Sequence, residues 1–257
     1  MGGNAIKCSR RFDKQEFIEM QKEIIPKVRD CFNTDVYTID SYRNKPSFGD
    51  LDLIVVNKGN LGNIKDKIQT YFNPNEIFAN GSVYSFDYKE LQVDLIFTPP
   101  SNLETTLFYY SFNDMGNLIG RIAHKFGLKY GHEGLCYVYR TEGKILGKIV
   151  LSKDNMEILN FLGLDSHKYM LGFNELTDIF DYVISSRYFN PKIYLLENQN
   201  NKHHKRDKKR KTYTEFLKYI DSISSDTGYY QFNKDKTVYF DMINESFPKA
   251  DFLNKLQ

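Results

Sequence analysis

Apolar residues recur three or four positions apart at Phe12, Phe17, Met20, Ile24, Ile25, Val28 and Phe32, a spacing that predicts one amphipathic helix fraying near Pro26. The period then changes. "DVYTID" reads as a strand, and a polar loop leads into a second, more apolar strand, "DLDLIVV". An Asn/Gly loop introduces a helix around "GNIKDKIQTYF", after which "SVYSFDY" and "LQVDLIF" predict two further strands closed by Pro99-Pro100. Roughly residues 10 to 100 are thus expected to be α+β or α/β. Helical period returns in "NLETTLFYY" and "NDMGNLIGRIAHKF", short strands are expected at "GLCYVYR" and "KILGKIVL", and the chain from about Ser152 reads as mainly helical. A second, smaller domain follows from that change of pattern.

A chain of 257 residues with 41% apolar residues is long enough for one large domain or two modest ones, each with a core. The 20 Phe and 19 Tyr, with no Trp, are expected to fill that core and leave rings over for a ligand surface. No stretch is long and apolar enough to predict a membrane span or a secretion signal, so the expected setting is the cytoplasm. Cys8, Cys31 and Cys136 are odd in number and widely spaced, which points to reduced thiols, and no Cys or His spacing suggests zinc. Net charge is only +2, but "KHHKRDKKRK" at residues 202 to 211 concentrates the positive charge. Such a block is either a solvated segment or a contact for a polyanion.

Successive side chains on a strand alternate between faces, so Asp50 and Asp52 share one face of "DLDLIVV" while Leu51, Leu53 and Val55 take the other. Asp94 in "LQVDLIF" is set off from an apolar face in the same way. If the two strands are neighbours, three carboxylates converge. Such a group repels itself and is stable mainly around a cation, and hard oxygen donors suit Mg²⁺ or Mn²⁺ with phosphates completing the shell. The chemistry implied is phosphoryl or nucleotidyl transfer assisted by two ions. Taken alone, Asp-x-Asp after a glycine is common at turns. The preceding loop "SYRNKPSFG" adds a hydroxyl (Ser41), a fixed positive charge (Arg43) and a glycine (Gly49), parts that can hold a triphosphate.

These residues resemble the DNA polymerase β (family X) branch of the nucleotidyltransferase superfamily, whose pattern is Gly-Ser, a short basic loop, Gly-Asp-x-Asp and a third Asp on a later strand. Here the counterparts are Ser41, Arg43, Gly49-Asp50-Leu51-Asp52 and Val93-Asp94-Leu95. "LFYYSFNDMGNLIGRIAHKFGLKYGHEGL" is similar to the family segment that begins Tyr-Phe-Thr-Gly-Ser and ends Asn-Glu-Tyr-Gly-Leu. "ELTDIFDYVISSRYFNP" resembles its thumb pattern, so the likeness spans about residues 38 to 195. It implies a palm with a mixed sheet over 1–105, a thumb-like subdomain over 106–195 and a basic, helical C-terminal extension over 196–257. It further implies that Asp50 and Asp52 hold both metal ions, that Asp94 holds the catalytic one beside a 3′-hydroxyl, and that Ser41 and Arg43 grip the β and γ phosphates. Tyr109 and Tyr110 would lie near the sugar, Asp114 beside the base, Asn117 in the minor groove of the new pair and Arg121 against the template. By pattern alone, the two tyrosines are core rings and Asn117 and Arg121 share an exposed helix face.

Some positions depart from the family pattern. Asp40 stands where a glycine precedes the serine, and the loop is one residue short of its commonest form, so Asn44 or Lys45 is expected to replace a second phosphate-binding arginine. Ser111-Phe112-Asn113 replaces the turn that shapes the sugar pocket. About forty residues precede the loop, too few for the paired helix-hairpin-helix units that carry lyase activity, so no lyase is expected. Within the extension, Lys205, Arg206, Lys208, Lys209 and Arg210 are candidates for nucleic-acid backbone contact, while His124, His132, His203 and His204 read as structural or loop residues. The expected function is a compact gap-filling polymerase using nucleoside triphosphates, with DNA favoured over RNA and a viral or bacterial source the better fit. The alternatives are untemplated nucleotidyl transfer to RNA, a small molecule or a protein, and a non-catalytic nucleic-acid-binding module.

Overall fold

A computed structural model describes residues 5–7, 9–59, 61–141, 144–223 and 228–256, which form two units, Met1–Leu107 and Phe108–Gln257. The architecture is α+β with a mixed sheet.

In the first unit a two-residue strand, β1 (Phe12–Asp13), leads into α1 (Lys14–Phe32). Asp13 caps that helix: its carboxylate accepts from the Glu16 backbone N–H at 2.9 Å, and the Glu16 carboxylate accepts from the Asp13 N–H at 3.1 Å. Phe12 is therefore not helical, contrary to the periodicity. Pro26 does not fray the helix either, which runs on to Phe32 and ends at Asn33 in the left-handed region (φ 48°). An interior proline costs a helix about 3 kcal/mol. The burial of Ile24, Val28, Cys31 and Phe32 on either side of it offsets that cost.

Then come β2 (Val36–Thr38), β3 (Ser47–Phe48), β4 (Asp50–Val56), α2 (Ile64–Phe72), β5 (Ile77–Asn80), β6 (Val83–Tyr88), β7 (Leu91–Thr98) and α3 (Leu103–Tyr110), the last running past Leu107. β3 pairs with β1, and the main sheet has the order β2-β4-β7-β6-β5. Only β4 and β7 run parallel within it; every other pair is antiparallel. Leu51, Leu53, Val55, Val93, Leu95 and Phe86 point to one face and pack with α1 and α2 through Ile24, Val28, Ile68 and Phe72. That packing turns the polar positions of β4, β6 and β7 to the opposite face.

The second unit holds α4 (Met115–Lys125), a sheet of β8 (Leu128–Gly131), β9 (Gly134–Thr141) and β10 (Lys144–Ser152) in the order β10-β9-β8, then α5 (Asn155–Phe161), α6 (Ser166–Leu171) and α7 (Leu176–Ile184). α8 (Asn201–Asp207), α9 (Lys211–Ile223), α10 (Phe240–Ser246) and α11 (Phe252–Lys255) complete it. Much of the aromatic surplus is core here rather than ligand surface. Phe126 has the rings of Tyr188, Tyr239, Phe232 and Phe161 at centroid distances of 4.9 to 5.5 Å. The C-terminal stretch shares this core, since Tyr213 and Phe216 are fully buried and Phe216 meets Phe180 and Tyr194 at 5.2 and 4.9 Å. Cys31 and Cys136 are buried free thiols, and burial raises both above the ordinary thiol range. Cys8 lies outside the described residues. Among the described residues no helix is long and apolar enough to cross a membrane.

Candidate metal centre

The register of the parallel pair places Asp52 on β4 directly beside Asp94 on β7, with Asp50 beside Gln92. Antiparallel pairing sets Ser85 of β6 on the other flank of Asp94. Neighbouring strands lie about 4.8 Å apart. The carboxylates of Asp50, Asp52 and Asp94 each present an oxygen such that all three oxygens lie within 4.8 Å of one another. Asp50 and Asp94 are buried and Asp52 is half-buried.

Three acids at that range cannot all ionise cheaply. Burial, with Asp50 and Asp94 close by, pushes the Asp52 carboxyl well above the usual carboxylate range. Burial also raises Asp94, to about 6, and the nearby Asp50 adds to it. Hydrogen bonds from Ser85 and Gln92 pull Asp94 the other way. The Gln92 side-chain amide donates to both Asp94 oxygens at 3.0 Å, and its carbonyl oxygen accepts from the backbone N–H groups of Ala5 and Ile6 at 2.9 and 3.2 Å. Gln92 therefore fixes the Asp94 carboxylate in place. Its own rotamer is held from behind.

Lys45 is a positive side chain that acts on the group. Burial lowers it, while the attraction of Asp50 and Asp52 raises it, and its Nζ lies 4.7 Å from the Phe48 ring centroid. The three ligand side chains are all carboxylates, hard oxygen donors that repel one another at this range. A divalent cation of the Mg²⁺ or Mn²⁺ type fits that set.

Of the loop residues, Ser41 is half-buried and Arg43 exposed, within a turn in which the Lys45 N–H donates to the Tyr42 carbonyl at 3.2 Å. The Lys14 ammonium donates to the Arg43 carbonyl at 2.9 Å, fastening the turn to α1. Gly49 is the buried bend between β3 and β4.

In the second unit, Tyr109 and Tyr110 are half-buried and meet edge to face at 5.3 Å. Tyr109 also meets Tyr130 at 5.4 Å, and burial raises its hydroxyl. A side chain on Gly116 would sit 2.3 Å from the Tyr109 carbonyl oxygen, so the glycine permits this approach. Asn117 and Arg121 do share a face of α4, four residues apart and with Asp114 at its N-cap, but it is not exposed. Arg121 keeps only 6% of its surface and Asp114 7%. Each faces one member of the basic block: Arg210 is ion-paired to Asp114, Arg206 donates to Asn117 Oδ1 at 2.5 Å, and Arg121 pairs with the fully buried Asp207. His203 Nδ1 lies 2.9 Å from the Arg121 guanidinium.

The block is thus neither a loop nor wholly solvated. Residues 201–207 form α8, and Arg206 within it and Arg210 beyond it are ion-paired to Asp207 and Asp114. Lys205, Lys208 and Lys209 remain exposed.

No protein-family model matches the chain, and no curated protein matches it.

Sequence reasoning did not single out Gln92, Ser85 or Asp207. Gln92 had a readable signal, because it stands two residues before Asp94 and so shares its face. Asp207 had one too, as the single acid inside a run of cations. Ser85 had none, because its place beside Asp94 depends on the register of β6.

Proposed function

We propose that the protein is a metal-dependent nucleotidyltransferase that joins a nucleoside monophosphate from a triphosphate to an acceptor hydroxyl. The observation that carries this reading is the convergence of Asp50, Asp52 and Asp94 within 4.8 Å on one face of the parallel pair β4 and β7 of a mixed sheet. Two Mg²⁺ or Mn²⁺ ions bound there would lower the pKa of the attacking hydroxyl and neutralise the leaving oxygen. Asp50 and Asp52 hold the ions. Asp94, oriented by Gln92 and Ser85, stands next to the acceptor hydroxyl, and Ser41, Arg43 and Lys45 offer a hydroxyl and positive charge to the triphosphate.

Nucleic acid is the acceptor that the family X resemblance favours, and a compact gap-filling DNA polymerase is the leading form of the proposal. A second reading, untemplated addition to RNA, a small molecule or a protein, is favoured by the engagement of Asn117 and Arg121 with Arg206 and Asp207. Those are the residues the resemblance sets against a minor groove and a template. A purely non-catalytic module is disfavoured, because three repelling acids in one buried group are costly unless a cation uses them.

The test is incorporation of labelled nucleotide with Mg²⁺ and with Mn²⁺ on gapped DNA, nicked DNA, single-stranded DNA and RNA, with dNTPs and rNTPs supplied separately. Metal-dependent incorporation that vanishes in Asp94→Ala supports the proposal. Preference for gapped over single-stranded DNA selects the templated form, and equal use of the two selects the untemplated one. Incorporation by Asp94→Ala at the wild-type rate would refute the site assignment.

A further inference from the structure

A cavity of about 200 Å³ opens in the second unit at the C-terminal turn of α4. Arg121, His124 and Lys125 of α4, His203 of α8 and Lys236 line it, together with the amide side chains of residues 198–200. Among the described residues none of the lining side chains is a carboxylate.

Cations at a helix C-terminus are ordinary in themselves, because they complement the helix dipole. That accounts for His124 and Lys125 on α4, but not for Lys236, which comes from a distant segment. Neither lysine belongs to an ion pair among the described residues, and the Lys236 ammonium is lowered by burial and then by the charge on Lys125. Asp235 attracts the Lys236 ammonium in turn but does not line the cavity, so the two ammonium groups on its wall still repel and are favoured when an anion joins them. Arg121, 6% exposed, adds a fixed guanidinium charge to this wall, held by Asp207, His203 and, at 3.4 Å, Gln199.

We infer that this cavity is a binding site for a phosphate group, held by Lys125 and Lys236 with the side chains of Asn198, Asn200 and His203 around it. The size supports the class. Drug-sized ligands occupy about 300–1,000 Å³, so this cavity suits a phosphate or pyrophosphate ion, or the phosphate end of a nucleotide, rather than a whole nucleotide. The inference does not rest on the metal centre, none of whose residues line the cavity.

The experiment is a calorimetric titration of the full-length chain with inorganic phosphate, pyrophosphate and a nucleoside monophosphate, at constant ionic strength set with chloride. Saturable binding of phosphate or pyrophosphate is expected, at least tenfold weaker in Lys125→Gln/Lys236→Gln and retained in Lys125→Arg/Lys236→Arg. Asp94→Ala should bind phosphate as the wild type does, which separates this site from the catalytic proposal. A nucleoside monophosphate that binds more tightly than phosphate marks the phosphate as part of a nucleotide, whereas equal affinity marks the free ion. Thermal unfolding without ligand should show the Gln double variant at least as stable as wild type, because a repulsion is removed. Absence of saturable binding, unchanged affinity in the Gln double variant, or equal loss in the Arg variant would overturn the inference. Binding by a single-stranded oligonucleotide but by none of the three small ligands would also overturn it.

Discussion

Asp94→Asn should stabilise the metal-free protein at neutral pH, against the usual direction for a change at a buried, hydrogen-bonded side chain. The Asp94 carboxyl is raised from 3.8 to about 6, chiefly by burial. Holding it ionised at neutral pH therefore costs about 3 kcal/mol. Asparagine removes the charge and keeps one oxygen to accept from Gln92, losing a bond worth about 1 kcal/mol. The net expectation is a gain of about 2 kcal/mol for the variant in chelator. The pH dependence has a definite sign. The folded carboxyl keeps its proton up to about pH 6 and the unfolded one releases it near 3.8, so the native state binds more protons across that interval. Metal-free wild type therefore loses this contribution as the pH rises from about 4 to about 6, and Asp94→Asn does not. Divalent metal reverses the order: an ion at a hundredfold excess over its Kd adds about 2.7 kcal/mol to the wild type. Urea unfolding of both proteins in chelator and in saturating Mg²⁺ or Mn²⁺, at several pH values, reads all of this. Lower stability of Asp94→Asn in chelator at neutral pH, with equal response of the two proteins to metal, would refute the reasoning.

Gln92→Leu removes both amide bonds to the Asp94 carboxylate and should weaken metal affinity by about 10- to 100-fold, as measured by Mn²⁺ titration, with the triad itself intact. Asp207→Asn leaves the Arg121 guanidinium buried without its counter-charge and should cost about 3–5 kcal/mol in urea unfolding, whereas Arg121→Met/Asp207→Leu should recover most of that loss. Pro26→Ala restores the missing backbone donor at an exposed position of α1 and should raise stability by about 2 kcal/mol by thermal or urea unfolding; a decrease would show that the proline is favourable where it stands.

The carboxylate group was legible because one short-range rule, alternation along a strand, sufficed for Asp50 and Asp52 and again for Asp94. That their strands are immediate parallel neighbours is a property of the whole sheet, and β5, which completes its edge, went unread because "IFAN" is short and mostly exposed. α1 was read two residues early and as fraying near Pro26, since periodicity reports apolar spacing and is silent on the Asp13 cap and on packing that holds a proline in a helix. The α4 face was the largest gap. Asn117 and Arg121 read as sharing an exposed helix face, because their partners Arg206 and Asp207 lie some ninety residues on, and no local pattern joins segments that far apart. For the same reason the charge block read as either a solvated segment or a polyanion contact.

The most direct test of the central claim is electron paramagnetic resonance titration of Mn²⁺ into the full-length chain with a non-hydrolysable nucleoside triphosphate. The account predicts two bound ions per chain with the spin coupling of neighbours about 4 Å apart, and loss of that coupled signal in Asp52→Asn and Asp94→Asn. An identical Mn²⁺ isotherm in wild type and both variants would contradict it.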